Sequence, residues 1–202
     1  MTPEDVERFE RALAAGGVGL FPADTVYGLA ADAESETGVR RLYEIKGRPQ
    51  ERPAAVMFFD PEPAFAALDG IGPRTRGALS KLLPGPVTAV IPNPRRLYPL
   101  ACGPAPERLG IRIPGLRPGL EAMLAIRRPV LQSSANPTGG ADPRRLADVD
   151  PAVRAAAGAE LDGGELPGTP STVVDLTTYE ESGDHRVLRA GAVSAEVLAD
   201  LL

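Results

Sequence analysis

Tryptophan is absent from this sequence, and cysteine and histidine occur once each, as Cys102 and His185. A single thiol excludes an internal disulfide and any multi-cysteine zinc site. The single imidazole, set in the polar turn SGDHR with no catalytic neighbours in sequence, argues against a histidine-based metal site and a Ser-His-Asp triad. Aromatic side chains make up 4 % of the chain, too few and too scattered for a base-stacking platform. No run approaches 18 apolar residues, so no transmembrane helix is expected. The N-terminal MTPEDVERFE is acidic and polar, unlike a targeting segment, and with one cysteine it suggests a reducing cytoplasm. Cations are not in excess. Twenty-two Lys and Arg face 27 Asp and Glu, for a net charge of −5, which suits small anionic ligands better than a nucleic-acid groove. The phosphate loop G-x-x-x-x-G-K-[ST] is missing, GGVGLF lacks the third glycine of a dinucleotide fingerprint, and there is no G-x-S-x-G elbow.

What is present is an ordinary amount of core material, 43 % hydrophobic, punctuated by 22 glycines and 22 prolines spread along the chain. At 202 residues one domain over 1–202 is expected. Thr2-Pro3-Glu4-Asp5 is a helix start, with a cap, a first-turn proline and first-turn acids; Val6, Phe9 and Leu13 form its apolar face before Gly16-Gly17. Strands are predicted at 18–21, 54–59, 87–91, 109–113, 129–133, 171–176 and 185–190. Helices are predicted at 35–46, 61–68, 73–83, 117–126, 143–149, 151–157 and 194–201. The interleaving and the continuous apolar strand runs give an α/β fold: a twisted mixed sheet with flanking helices.

The polar residues that could carry chemistry cluster at predicted strand and helix ends. EIKGRPQERP carries Lys46, Arg48 and Arg52 around a glycine and two prolines, where the chain can neither stay helical nor enter a sheet centre. FPADTVYGLAAD places Asp24, Thr25 and Tyr27 just after a strand, where α/β proteins bind ligands. LPGPVT sets Thr88 after a rigid turn. LQSSANPTGG ends a strand in Ser133, Ser134 and Asn136, and short donors with exposed backbone N–H groups suit an anion or a base edge. TPSTVVDL and RVLRAG contribute Ser171 and Arg189. Each stretch alone is compatible with a well-made turn or a solvated helix end.

Together and in this order, they closely resemble the YrdC-like family of L-threonylcarbamoyladenylate synthases. The K-x-R and S-x-N signature is matched by Lys46-Gly47-Arg48 and Ser134-Ala135-Asn136, accompanied by FPADTVYGL, PGPVT, GIRIP, PSTVVDL and LRAG, from about residue 15 to 193. The resemblance implies a concave, positively lined cleft. It implies a nucleotidyltransferase that makes threonylcarbamoyl-AMP and pyrophosphate from L-threonine, bicarbonate and ATP. The product would feed the threonylcarbamoylation of adenosine 37 in tRNA through a downstream transferase complex, with possible weak tRNA binding. Lys46 and Arg48 would hold the triphosphate and act in catalysis. Arg52, Thr88, Gln132, Ser134, Asn136 and Arg189 would line the ATP site, and Thr25, Tyr27 and Ser171 the threonine site. Magnesium would arrive with ATP, and no dedicated metal site is expected. On this reading the prolines aim Lys46 and Arg48 out of secondary structure, and their loss would cost activity but little stability.

Some positions depart from the family pattern. Ala23 and Asp24 stand where relatives often have threonine and glutamate. Arg52 and Met57 stand where members with an extra C-terminal domain carry asparagine and histidine, so no accessory domain is expected. Met57 can face either the ligand or the core. If it faces the ligand, the thioether weakens threonine recognition while Arg52 tightens ATP. The competing readings are a diverged paralogue that binds RNA or a nucleotide without catalysis, and one that uses another amino acid or carbamoyl substrate.

Overall fold

The computed structural model describes all 202 residues. The chain starts with helix α1 (Pro3–Ala14), whose Thr2 cap and Asp5 side chain exchange hydrogen bonds in a capping box. Strands β1 (Gly19–Pro22) and β2 (Tyr27–Asp32) form a hairpin, followed by α2 (Glu36–Lys46), capped by Ser35. Then come β3 (Ala55–Met57), α3 (Pro61–Ala67), α4 (Pro73–Leu82), β4 (Val87–Pro92), the short α5 (Pro99–Cys102) and β5 (Arg108–Arg112). The second half supplies β6 (Val130–Ser134), α6 (Pro151–Ala156), β7 (Ala159–Glu160), β8 (Thr172–Asp175), α7 (Tyr179–Ser182), β9 (Arg186–Arg189) and α8 (Ala195–Leu201). All nine strands join one mixed sheet in the order β7-β1-β2-β6-β3-β5-β4-β8-β9.

Most predicted elements are present within a residue or two. Three expectations fail. The helix expected over 117–126 contracts to a 3-10 segment at Glu121–Ala125, because Pro118-Gly119 breaks its start. The helix expected over 143–149 is only the 3-10 turn Leu146–Asp148. The stretch read as a turn after β1 is in fact β2. Gly28, Ala30 and Ala31 have little strand preference of their own, but β1 and β6 pair it on both sides.

Strand alternation divides the sheet into two faces. On one face Leu20, Leu29, Val56, Ile111, Leu131 and Val174 join a core with α2, α4 and α8. The other face is only half covered. Under α1 and the 3-10 segment, Phe21, Ala30, Met57 and Val130 pack with Phe9, Phe59 and Met123 in a second core. Beyond that cover the face carries small residues, Gly28, Ala55 and Gly110, and remains open. The cleft lies there.

Candidate functional site

The cleft is a concave opening of about 630 Å³ on the uncovered half of the sheet. Lys46, Arg48, Arg52, Arg108, Arg112, Arg186 and Arg189 line it, and Asp142 is its one carboxylate. Cations thus outnumber acids along its wall, on a protein that is acidic overall. Buried polar atoms are nearly always hydrogen-bonded. Here the Nε atoms of Arg48, Arg108 and Arg112 are buried without a partner, three of only five such side-chain atoms in the chain.

The K-G-R stretch is organised by the end of α2. Lys46 is the last helical residue, and Gly47 reverses the chain in the left-handed region (φ 57°), which favours glycine. Arg48 then turns onto the cleft wall. Its Nη2 donates to the Pro53 carbonyl (2.5 Å), its Nη1 to Ser133 Oγ (3.3 Å), and it lies against the Tyr43 ring. Burial, and next the charge of Arg52, lower its pKa. Lys46 does not project from secondary structure as expected. It is buried, and its ammonium donates to the carbonyls of Ser134 (2.5 Å) and Asn136 (2.7 Å) and to Asn136 Oδ1 (2.9 Å). The expectation that its loss would leave stability almost unchanged is therefore corrected: removing it orphans buried acceptors. Burial first, and then Arg48, pull its pKa down to about 8, against the opposing field of Asp142.

The S-x-N turn leaves β6 at Ser134. Ser134 Oγ donates to Asn136 Oδ1 (2.7 Å), and Asn136 Nδ2 donates to the Gly140 carbonyl and Asp142 Oδ1. Gln132 lies on the same wall, two residues back along the strand. Opposite, Thr88 of β4 and Ser171, the residue before the parallel strand β8, share a buried hydroxyl–hydroxyl bond of 2.9 Å. Arg189 Nη2 donates to the Ser171 carbonyl (2.7 Å) and hydroxyl (3.1 Å). A bulge in the β8–β9 pairing makes this possible. Arg186 sits opposite Asp175 and Arg189 opposite Val173, so two residues an odd number apart share the cleft face.

Two expected threonine contacts are not on the wall. Tyr27 opens β2 pointing to the fully covered face. Its hydroxyl sits among Asp162 Oδ1, the Gly164 carbonyl and the Gly163 amide, each 2.9 Å away, and burial raises its pKa to about 12. Thr25 is buried behind Arg112, which donates to its hydroxyl at 2.6 Å. Met57 also resolves to the core: alternation puts it on the cleft face, but under the α1 cover, fully buried. The proposed shift from threonine recognition at that position is corrected accordingly.

The cleft residues with charged side chains that sequence reasoning missed are Arg108, Arg112, Asp142 and Arg186. Arg112 Nη2 donates to Asp24 Oδ1 (2.5 Å) in a buried ion pair, and Asp24 Oδ2 accepts from the Gly115 amide. A charge inside the apolar run LGIRI was the available signal, since a strand arginine with no outlet to water needs a buried partner. Arg108 and Arg186 share Asp175 at the far end of the cleft. Asp142 is distinguished only by where the turn brings it.

Comparisons with known proteins agree with this architecture. A model of the Sua5/YciO/YrdC family, described as "Telomere recombination", matches residues 11–191. A curated protein of Pyrococcus abyssi named threonylcarbamoyl-AMP synthase is 28 % identical over 98 % of this chain, which spans 59 % of that protein's length. A Xanthomonas euvesicatoria protein of the same name is 32 % identical over 79 % of the chain and 86 % of its own length. The crystal structure of P. abyssi Sua5 complexed with L-threonine superposes with a TM-score of 0.85 at 26 % identity, covering all of this chain and 58 % of that one. With the family model spanning most of its length, this chain belongs to the Sua5/YciO/YrdC family.

Proposed function

We propose that the chain is an L-threonylcarbamoyl-AMP synthase, a nucleotidyltransferase. Its relatives carry that name, and one solved relative holds L-threonine. The observation that carries the reading is the cleft lined by one lysine and six arginines against a single carboxylate, on a chain with no nucleophile–base pair in the opening. The reaction needs none. The amine of threonine and bicarbonate give the carbamate and water; a carbamate oxygen attacks the α-phosphorus of ATP, and the bond to the β,γ-pyrophosphate breaks. Catalysis then consists of holding two anions together and neutralising charge that develops on phosphate oxygens.

Arg48 and Arg52 fall to the triphosphate, through planar donors suited to phosphate. Gln132, Ser134, Asn136, Thr88 and Arg189 form the walls for the nucleotide. Arg112, held by Asp24 and Thr25, meets the threonine carboxylate, with Ser171 beside it. No group of three or more His, Cys, Asp or Glu side chains is disposed to hold a metal. Magnesium enters as part of the ATP substrate, held by its phosphates and water. The acyl-adenylate passes to a transferase that modifies adenosine 37 of tRNA in the cytoplasm.

The test is incubation with MgATP, labelled bicarbonate and each amino acid in turn, with mass-spectrometric detection of the adenylate. Label in a threonine-dependent adenylate, matched by pyrophosphate release, is expected. Equal product with other amino acids, or none with threonine, would overturn the reading.

A further inference from the structure

We propose that Lys46 is a positioning residue: it serves the nucleotide by holding the 134–138 turn and makes no contact with phosphate itself. This rests on the reading that the turn is a nucleotide wall. An ammonium has three N–H donors. Three protein oxygens converge on this one within 2.5–2.9 Å, so none is left over for a ligand. Reaching for a phosphate would uncover buried carbonyls and release Asn136 Oδ1, which also closes the turn onto Ser134.

The tie runs in both directions. The Lys46 carbonyl, one of those a helix end leaves unpaired, accepts from the Thr138 amide (3.1 Å) and hydroxyl (3.0 Å). The last residue of α2 and the S-x-N turn are thus one hydrogen-bonded unit joining segments nearly 90 residues apart. Within K-G-R the labour is divided. Lysine grips the protein, glycine turns the chain, and arginine lines the cleft. A compact ammonium suits three oxygens around one nitrogen, whereas a planar guanidinium does not.

The experiment compares wild type with Lys46→Met, Lys46→Arg and Arg48→Met. Amide hydrogen exchange is followed without ligand, and MgATP affinity by calorimetry. Both Lys46 variants should speed exchange over 134–140 by roughly ten- to a hundred-fold, the range for losing one charged hydrogen bond. They should weaken MgATP binding alike, with no rescue by arginine. Arg48→Met should weaken binding and leave exchange over the turn unchanged. Near-native ATP affinity in Lys46→Arg, or unchanged exchange in Lys46→Met, overturns the proposal. Should the Lys46 variants fail to fold, side-chain nitrogen NMR of the unmodified protein decides. Lys46 ammonium protons already slow to exchange before MgATP is added support the tie; protons that become protected only with nucleotide overturn it. None of these readouts needs threonine or turnover, so absence of adenylate synthesis would defeat the synthase reading and leave this test standing.

Discussion

Met57 and Arg112 sit opposite one another in the parallel register of β3 and β5, on the same face of the same sheet. Yet one is sealed in a core and the other lines a cleft. The difference lies in what covers them. Above Met57, α1 and the 3-10 segment bring Phe9, Leu13 and Met123 against Phe21 and Phe59. Past their edge the strands carry Gly28, Ala55 and Gly110, too small to fill the space, and arginines enter from the sides. One half of the face is occupied by the fold and the other is left for a ligand. Substitutions in the first half should therefore cost stability, and those in the second should cost activity.

Arg112→Ala strains this division most, because Arg112 serves both ends. It leaves Asp24 buried without its cation, a loss of about 3–5 kcal/mol. Urea unfolding should show that loss, and threonine-dependent pyrophosphate release should vanish even in the folded fraction. Phe59→Ala tests the sealed half alone. Its ring packs edge-on against Phe21 at 5.7 Å, and truncation should cost about 3–5 kcal/mol while kcat and KM per folded molecule stay unchanged. A fall in activity beyond the folded fraction would show that the two halves are coupled.

Met57→His sharpens the boundary. It should bury a polar ring without a partner and destabilise by about 1–3 kcal/mol, with no gain in KM for threonine. An improved KM would move the wall of the cleft past β3. Thr88→Val removes the hydroxyl that Ser171 meets, for about 1 kcal/mol of stability, and should raise KM for ATP or threonine modestly.

A further test concerns pH. Lys46 faces Arg48 and Asp142, and its folded pKa of about 8 lies below its ordinary value of 10.5. Above the folded pKa the native state has released a proton that the unfolded chain retains. This group therefore adds stability as pH rises from about 8 to 10.5, and adds nothing below that window. The neutral amine keeps only two N–H donors for three oxygens, so MgATP affinity should decline over the same range. Wild-type unfolding and ATP titrations between pH 7 and 10 would show the two trends diverging; Lys46→Met should flatten both.

Local chemistry made much of this legible beforehand. The Thr2 and Ser35 caps, the K-G-R reversal and the polar strand ends depend on residues a few positions apart, which one sequence displays. The positions that misled depend on distant partners. Tyr27 and Thr25 lie in a stretch with every mark of a ligand loop. Only pairing with β1 and β6 turned the tyrosine to the core side, and only Arg112, 87 residues away, claimed the threonine hydroxyl. Arg112 itself was passed over because its partner, Asp24, is 88 residues away along the chain.

The sequence by itself determined the element types, the alternation within strands, and the concentration of short polar and cationic residues at element ends. These follow from backbone sterics, capping and periodicity, all of which act over a few residues. Tertiary structure alone decided which stretch of the sheet face would be covered, that Lys46 would be spent on the protein's own oxygens, and that Arg189 would share a face with Arg186. A strand's period of two sends residues three apart to opposite sides. Only the bulge, a property of β8 and β9 paired together, reverses that.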